Sequence, residues 1–524
     1  MNPISRRHDN RRTWLALGAI VIYLALLMWR YDSLPPSLNA DAAGEIESGY
    51  RLVHDRHFTV LTFEPSKNGV ESLWVAMAGV FVSIFGHSTF PAVMSSWLAV
   101  VIMLLMLVLI ARRSAGRIDP LIIVLTATSM VWLFHYGRVA MRCISSATFI
   151  SASMLGMLIF LSDNKRRWRG PILLGGSLAL GIYSYTTSRV PPVAYALFMI
   201  GHLALVFVRY RSDFKLWLIQ HLRTIGVALV VSIPNIVYAA QYPKEFFARG
   251  MWYNLHGGWH DWMMQVIDSL AVPIVYDFDR YRGVGGRTWL FDPAAAALPV
   301  AVIPPVWLVV GFASFVGLIW ISLKWRGPML GAAIFGLMCY VLTCAMIGFT
   351  GPSLSRISLN IPLIALAGAA ILSVVAKRLG KVDWIAIGLC LLTVLGVYRY
   401  ERGLDDELVR SLFSVAVRDI ATEATERSKQ GQTAYAILRR DAGVMDYYSR
   451  ERKTPLYTTE FFNVPFELSR LSKKGWDESD VIFIERAEQF DEFVGVMRAS
   501  DEFVESPARP RYFVFERARA MPTN

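Results

Sequence analysis

Residues 91–111 read PAVMSSWLAVVIMLLMLVLIA and are followed at once by Arg112 and Arg113. A charge-free run of this length matches the roughly 20 apolar residues that carry a helix across hydrocarbon, where backbone polar groups must pair within the helix. Comparable runs occur at 14–29, 118–134, 143–161, 171–187, 190–208, 222–240, 299–321, 328–349, 357–376 and 382–398, so eleven transmembrane helices are expected. The chain is 54% hydrophobic and only 18% charged, where soluble domains carry about a quarter charged residues. The pattern excludes a soluble enzyme and implies a polytopic α-helical membrane protein.

Charge divides the chain near Tyr400. Residues 401–524 hold 19 Lys and Arg against 23 Asp and Glu, whereas residues 1–400 hold 34 against 18. Two domains are therefore expected, a basic membrane domain over 1–400 and a small α/β domain over 401–524. In the latter, helices are read at 405–426, 442–449 and 487–499 and strands at 433–438, 481–484 and 512–515. Cys143, Cys339, Cys344 and Cys390 all sit inside apolar runs, which leaves no disulfide framework and no C-x-x-C metal site.

The basic loops orient the spans. Arg6, Arg7, Arg11 and Arg12 precede the first run, and clusters recur at 112–117, 165–169, 209–223, 324–326 and 377–381. All fall on the cytoplasmic side if the short apolar piece 73–85 does not cross. That piece is accordingly read as a helix lying on the outer surface, with the N-terminus cytoplasmic and the C-terminal domain extracytoplasmic. A multi-pass protein of the cell (inner) membrane is expected, and no nucleic-acid partner.

Three long outer segments remain, 30–90, 241–298 and 400–524. In the first, Leu34-Pro35-Pro36 leads to Asp41, Glu45 and Glu47 where a helix begins, so carboxylates stand at the membrane surface. A carboxylate there can take the proton of an attacking hydroxyl or amine; equally, Asp41 can cap its helix with Glu45 and Glu47 on a solvated face. Lys67 and Glu71 lie in a polar turn entering 73–85, where both a shared site and plain surface charge fit. The short outer loops hold Arg138, Arg142, Arg189 and Arg356, whose forked guanidinium groups suit a lipid phosphate as well as ordinary headgroups. In the second segment, Trp259, Trp262, Met263, Val266 and Ile267 space as one face of a surface helix. The nearby His256, His260 and Asp261 offer only a lone H-x-x-x-H, a weak case for a metal.

Taken in order, these features resemble the GT-C superfamily of membrane glycosyltransferases, especially the family 39 branch of protein O-mannosyltransferases and aminoarabinose transferases. Pro35-Pro36 through Asp41 to Tyr50-Arg51-Leu52 is similar to that family's first outer loop. Asn68-Gly69-Val70-Glu71-Ser72-Leu73-Trp74 with Phe85-Gly86 is similar to its second surface helix. Gly137-Arg138 through Arg142, Gly181 through Arg189, and Ser355-Arg356 through Pro362 follow as further landmarks.

The resemblance implies inverting transfer of a sugar from a polyprenyl-phosphate donor to a lipid, polysaccharide or protein acceptor on the extracytoplasmic face. It makes Asp41 the base and Arg138, Arg142, Arg189 and Arg356 the donor-phosphate candidates. Glu45, Lys67 and Glu71 follow as weaker substrate-binding candidates. Ala42 stands where many members have Glu, and 137–142 lacks an acid, so a divalent metal has no clear ligand set. A lipid-linked sugar flippase would want charges mid-span and related halves, which are not seen; a non-catalytic assembly protein is the other alternative.

Overall fold

A computed structural model describes residues 3–31, 38, 40–54, 63–64, 70–163, 167–243, 259, 262–263, 266, 327–350, 358–403, 415–438, 456–460, 480–485, 490–499, 503–506, 509 and 512–517. Two compact units divide the chain. One comprises Met1–Trp29, His57–Met77 and Val93–Asp406, the other Arg30–Arg56, Ala78–Ala92 and Glu407–Asn524.

The helices are α1 (Pro3–Met28), α2 (Ala40–His54), α3 (Ser72–Phe85), α4 (Thr89–Arg113), α5 (Pro120–Thr128), α6 (Val131–Arg138), α7 (Cys143–Ser162) and α8 (Arg169–Ile182). They continue with α9 (Val190–Arg209), α10 (Phe214–Gln241), α11 (Pro328–Thr350), α12 (Ile361–Leu379) and α13 (Val382–Gly403). Among the described residues, seven helices are long and apolar enough to cross a membrane, and three shorter apolar ones accompany them. The expected span 299–321 lies outside the described residues.

α7 forms the spine of the first unit and is buried along nearly its whole length. Small residues let its neighbours approach: a methyl on Gly156 would come 2.7 Å from the Leu174 nitrogen of α8, and one on Gly175 2.4 Å from the Thr224 oxygen of α10. Ser153 and Ser177 share a 2.9 Å hydrogen bond across the α7–α8 seam.

Ion pairs define one end of the bundle. Arg12, near the start of α1, reaches Asp383 at 2.7 Å and Asp119 at 3.8 Å, Arg113 reaches Asp163 at 3.5 Å, and Lys377 donates to the Gly116 carbonyl. The N-terminal end of α1 and the basic stretches around 113–117, 163 and 377–383 therefore share one side, as the positive-inside pattern requires. At the opposite end Arg138 reaches the last turn of α1.

The run 118–134, expected as one span, is two short helices, α5 and α6, broken at Ser129 and Met130. Hydroxyls bond back to the backbone beside the break. Thr126 donates to the Ile122 carbonyl at 2.7 Å and Ser129 to that of Thr126 at 2.9 Å, competing with the backbone ladder. Together the two helices still run from Asp119, which caps α5 by accepting from the Leu121 nitrogen at 2.8 Å, to Arg138 at the far end.

α3 has 14 residues, about 21 Å at 1.5 Å per residue, too short to span ~30 Å of hydrocarbon. It begins beside Arg142 at the end of the bundle away from Arg12. The first half of α4 runs beside that of α7, where the Thr148 hydroxyl donates to the Ala99 carbonyl at 2.8 Å. The intervening chain thus leaves and returns on one side.

In the second unit, residues 415–517 build a mixed five-stranded sheet from β3 (Thr433–Leu438), β4 (Leu456–Glu460), β5 (Asp480–Glu485), β6 (Phe503–Glu505) and β7 (Tyr512–Arg517). Their order is β4-β3-β5-β7-β6. β3 pairs in parallel with β4 and β5; β7 runs antiparallel to β5 and β6. Phe490, Val494 and Met497 of α15 (Asp491–Ala499) and its preceding turn pack with Ile437, Ile482, Ile484 and Phe515 as the sheet's core. The other helix, α14 (Val415–Lys429), packs over β3 and β5. The expected helix 442–449 lies outside the described residues.

On α14, Glu423 accepts from Arg509 Nε and Nη2, both at 3.0 Å, and from the Tyr512 hydroxyl at 2.8 Å. Burial alone raises this carboxyl, but the hydrogen bonds from Arg509 and Tyr512 outweigh it and hold it below its ordinary 4.5. A depressed carboxyl contributes stability that is present above its ordinary value and lost as pH falls through its folded value. Amide exchange in Tyr512–Arg517, corrected for intrinsic rates, is expected to quicken below pH 4.5 in the full-length chain. Glu423→Gln should remove that pH step at a cost of about 1 kcal/mol, since Arg509 is partly solvated. An unchanged step in the variant would assign the acid sensitivity elsewhere.

Candidate active site

A two-residue ribbon, β1 (Phe63–Glu64) and β2 (Val70–Glu71), feeds Glu71 into the first turn of α3. Its side chain is fully buried, not a surface charge. Arg142 Nη1 lies 3.0 Å from Oε2, while Arg189 Nη2 lies 3.4 Å and the Thr186 hydroxyl 2.9 Å from Oε1. Two guanidinium groups on one carboxylate leave the trio with a net positive charge. Arg142 is only 7% exposed and also stands 5.6 Å over the Tyr185 ring; Arg189 is 32% exposed. The structure thus brings Glu71, Arg142 and Arg189 together from three separate sequence landmarks.

Local folding explains why they meet. The Leu73 nitrogen donates to the Tyr183 carbonyl at 2.9 Å, pinning the start of α3 to the end of α8. After Tyr183 a 3-10 turn, Thr186–Arg189, redirects the chain into α9, with Pro191 in that helix's first turn. Tyr183 is itself anchored in α10. Pro234 there lacks a backbone donor, and the Tyr183 hydroxyl enters the opened ladder, donating to the Val231 carbonyl at 2.8 Å and accepting from the Asn235 nitrogen at 3.3 Å.

Arg138 is buried at 2% exposure. Its Nη1 donates to the carbonyls of Leu26 at 3.1 Å and Leu27 at 2.7 Å, satisfying acceptors that the end of α1 would otherwise leave unpaired, and the group stands 5.3 Å over Phe134. It is thus held against the end of α1.

Asp41 is the second residue of α2, whose backbone helix begins at Ala40; its side chain lies outside the described residues. Glu45 is half-buried. Glu47, also a candidate for a solvated face, is instead buried: Arg51 Nε donates to it at 2.8 Å and His87 Nε2 stands 3.6 Å away, with Tyr50 edge-on to His87 at 4.2 Å. His87 was not singled out from the sequence. The only cue was its place in the Gly86-His87-Ser88 turn.

α2 meets α3 in backbone contact, because a methyl on Gly79 would lie 2.1 Å from the Gly49 carbonyl oxygen. Gly79→Ala is expected to destabilise the protein by about 3 kcal/mol, at the severe end of overpacking. Gly18→Ala, with nothing within 4 Å, is the neutral control. Equal thermal stability in detergent for the two variants would remove this contact from the account.

Lys67, Arg356, His256, His260 and Asp261 lie outside the described residues. Trp259 and Trp262 stack at 4.5 Å in short helical pieces. Among the described residues, no three His, Cys, Asp or Glu side chains converge as a metal site needs.

Residues 73–238 match the family model described as dolichyl-phosphate-mannose-protein mannosyltransferase, about a third of the chain and the part holding α3 through most of α10. No curated protein sequence matches the chain. Among solved structures, it is similar to ArnT from Cupriavidus metallidurans bound to undecaprenyl phosphate, with 13% identity, a TM-score of 0.56, and coverage of 95% of this chain and 98% of that one. The apo state of the same ArnT gives 14% identity and a TM-score of 0.55 at the same coverage. The likeness covers nearly the whole chain despite the low identity, and the mannosyltransferase family model matches the segment that carries Arg142 and Arg189 and starts two residues after Glu71. The chain thus has an ArnT-like membrane fold, and its segment 73–238 matches the mannosyltransferase family model.

Proposed function

We propose that this protein transfers a sugar from a polyprenyl-phosphate donor to an acceptor on the extracytoplasmic face of the cell membrane, with inversion at the anomeric carbon. An acceptor hydroxyl or amine attacks that carbon, the bond to the phosphate oxygen breaks, and polyprenyl phosphate leaves with the electron pair. Asp41 takes the acceptor's proton. Arg142, Arg189 and Arg356 stabilise the departing phosphate, an electrostatic task suited to forked donors. Arg138 serves the same end by holding α1, and Glu71 keeps Arg142 and Arg189 in register; Lys67 and Glu45 contact substrate. Residues 1–400 form the catalytic membrane domain, and residues 401–524 an extracytoplasmic domain that binds acceptor or supports the fold.

The observation that carries this reading is the buried Glu71–Arg142–Arg189 cluster, a preorganised positive site at the end of the bundle away from the basic loops. The complex of ArnT with undecaprenyl phosphate supports a lipid phosphate as its ligand. The test is lipid mass spectrometry on membranes of cells lacking the protein. A polyprenyl-phosphate sugar should accumulate and disappear on complementation. An unchanged lipid-linked sugar pool in every strain would overturn the reading.

A further inference from the structure

At the other end of the bundle, α7, α9, α10 and α11 border a cavity of about 680 Å³, within the ~300–1,000 Å³ typical of ligand sites. One of its walls is Leu161, next to last in α7; it stands eighteen residues, about 27 Å at 1.5 Å per residue, from Cys143, the first residue of that helix and the neighbour of Arg142. The cavity is thus a hydrocarbon thickness away, at the level of the opposite leaflet.

Its chemistry is layered. Flanking Tyr210 and Trp217 of the lining in sequence, Arg209, Arg211 and Lys215 are exposed, with Asp213 the one acid in that stretch. Tyr210 and Trp217 line the mouth, the position that interfacial aromatics prefer. Deeper, His202 is oriented by a polar chain: its Nδ1 lies 3.0 Å from His221 Nε2, and His221 Nδ1 lies 2.8 Å from the Tyr195 hydroxyl. The rest of the bore is apolar, and its wall is open at Gly201, where an added Cβ would meet nothing within 4 Å. Ionisable groups at such depth are costly in membrane proteins and tend to mark sites.

We propose that this cavity binds one anionic phospholipid of the leaflet opposite the sugar-transfer site. One acyl chain lies in the apolar bore, the glycerol region meets His202 and Trp217, and the phosphate meets Arg209, Arg211 and Lys215. The positive rim selects an anionic headgroup, as basic juxtamembrane clusters do. The proposal stands independently of the transferase reading.

The test uses full-length protein in vesicles containing either phosphatidylglycerol or phosphatidylcholine, each brominated in the acyl chain, at equal mole fraction. The signal is the tryptophan quenching lost in Trp217→Phe. Brominated phosphatidylglycerol should quench Trp217 at several-fold lower mole fraction than phosphatidylcholine. Gly201→Leu should erase the preference by filling the bore. Arg209→Gln and Arg211→Gln, both surface changes, should each weaken it about fivefold. Equal quenching by the two lipids would mean ordinary boundary lipid, and no quenching by either would mean that protein closes the cavity. A headgroup preference that survives Gly201→Leu would place the lipid elsewhere. Each of these outcomes overturns the proposal.

Discussion

Asp41→Asn is expected to lower the turnover of sugar transfer by about 10²–10⁴-fold, the span over which a positioned base contributes to proton transfer, or ~3–5 kcal/mol of barrier. The amide keeps the shape of the carboxylate and can still hydrogen-bond to the acceptor, but it cannot take the proton. Donor binding should be little changed, so the loss falls on turnover and not on donor KM. In cells, the lipid-linked sugar should stay high with a stably expressed variant and fall with wild type. A variant that restores the wild-type lipid profile would remove Asp41 from the role of base.

Glu71→Gln has the second large expected effect, and it is on stability. Removing the buried carboxylate takes away the charge that joins Arg142, 7% exposed, to Arg189. Breaking one side of a buried ion pair costs about 3–5 kcal/mol. The lower end applies here because Arg189 retains access to water. The measurement is thermal inactivation in detergent of Glu71→Gln, Arg142→Gln and the double variant. If the pair is coupled, the double variant is less damaged than the sum of the singles. Additive losses would show that Glu71 does not act through Arg142.

Much of the fold was legible because hydrocarbon imposes a simple rule on sequence. α4, α7, α9 and α12 lie where charge-free runs predict helices, and the basic stretches at Arg12, Arg113 and Lys377 meet at one end. The break between α5 and α6 was hidden, because the apolar window 118–134 reads like those of the unbroken helices. In the five-stranded sheet, β3, β5 and β7 were read from apolar patterns near their observed positions. β4 and β6 were not: both are edge strands of the sheet, and β6 has only three residues. An edge strand buries less and so carries a weaker pattern.

The site divides in the same way. Arginines at the ends of spans, a carboxylate at the start of α2 and a polar turn before α3 could all be found one at a time, because residue type and local hydropathy mark them. Their partners could not. Glu71 and Arg189 are 118 positions apart, and nothing near either one records whether its charge is solvated or buried against the other. The same holds for Arg138 on the end of α1, the Tyr183 hydroxyl in the gap beside Pro234, and the Tyr195–His221–His202 chain. Sequence alone determined that this chain crosses a membrane many times and where charges are allowed to stand, since the cost of bare charge and backbone in hydrocarbon is a local quantity. Which charges neutralise one another was decided only by the tertiary structure, because burial and pairing are properties of helices brought together and not of any single helix.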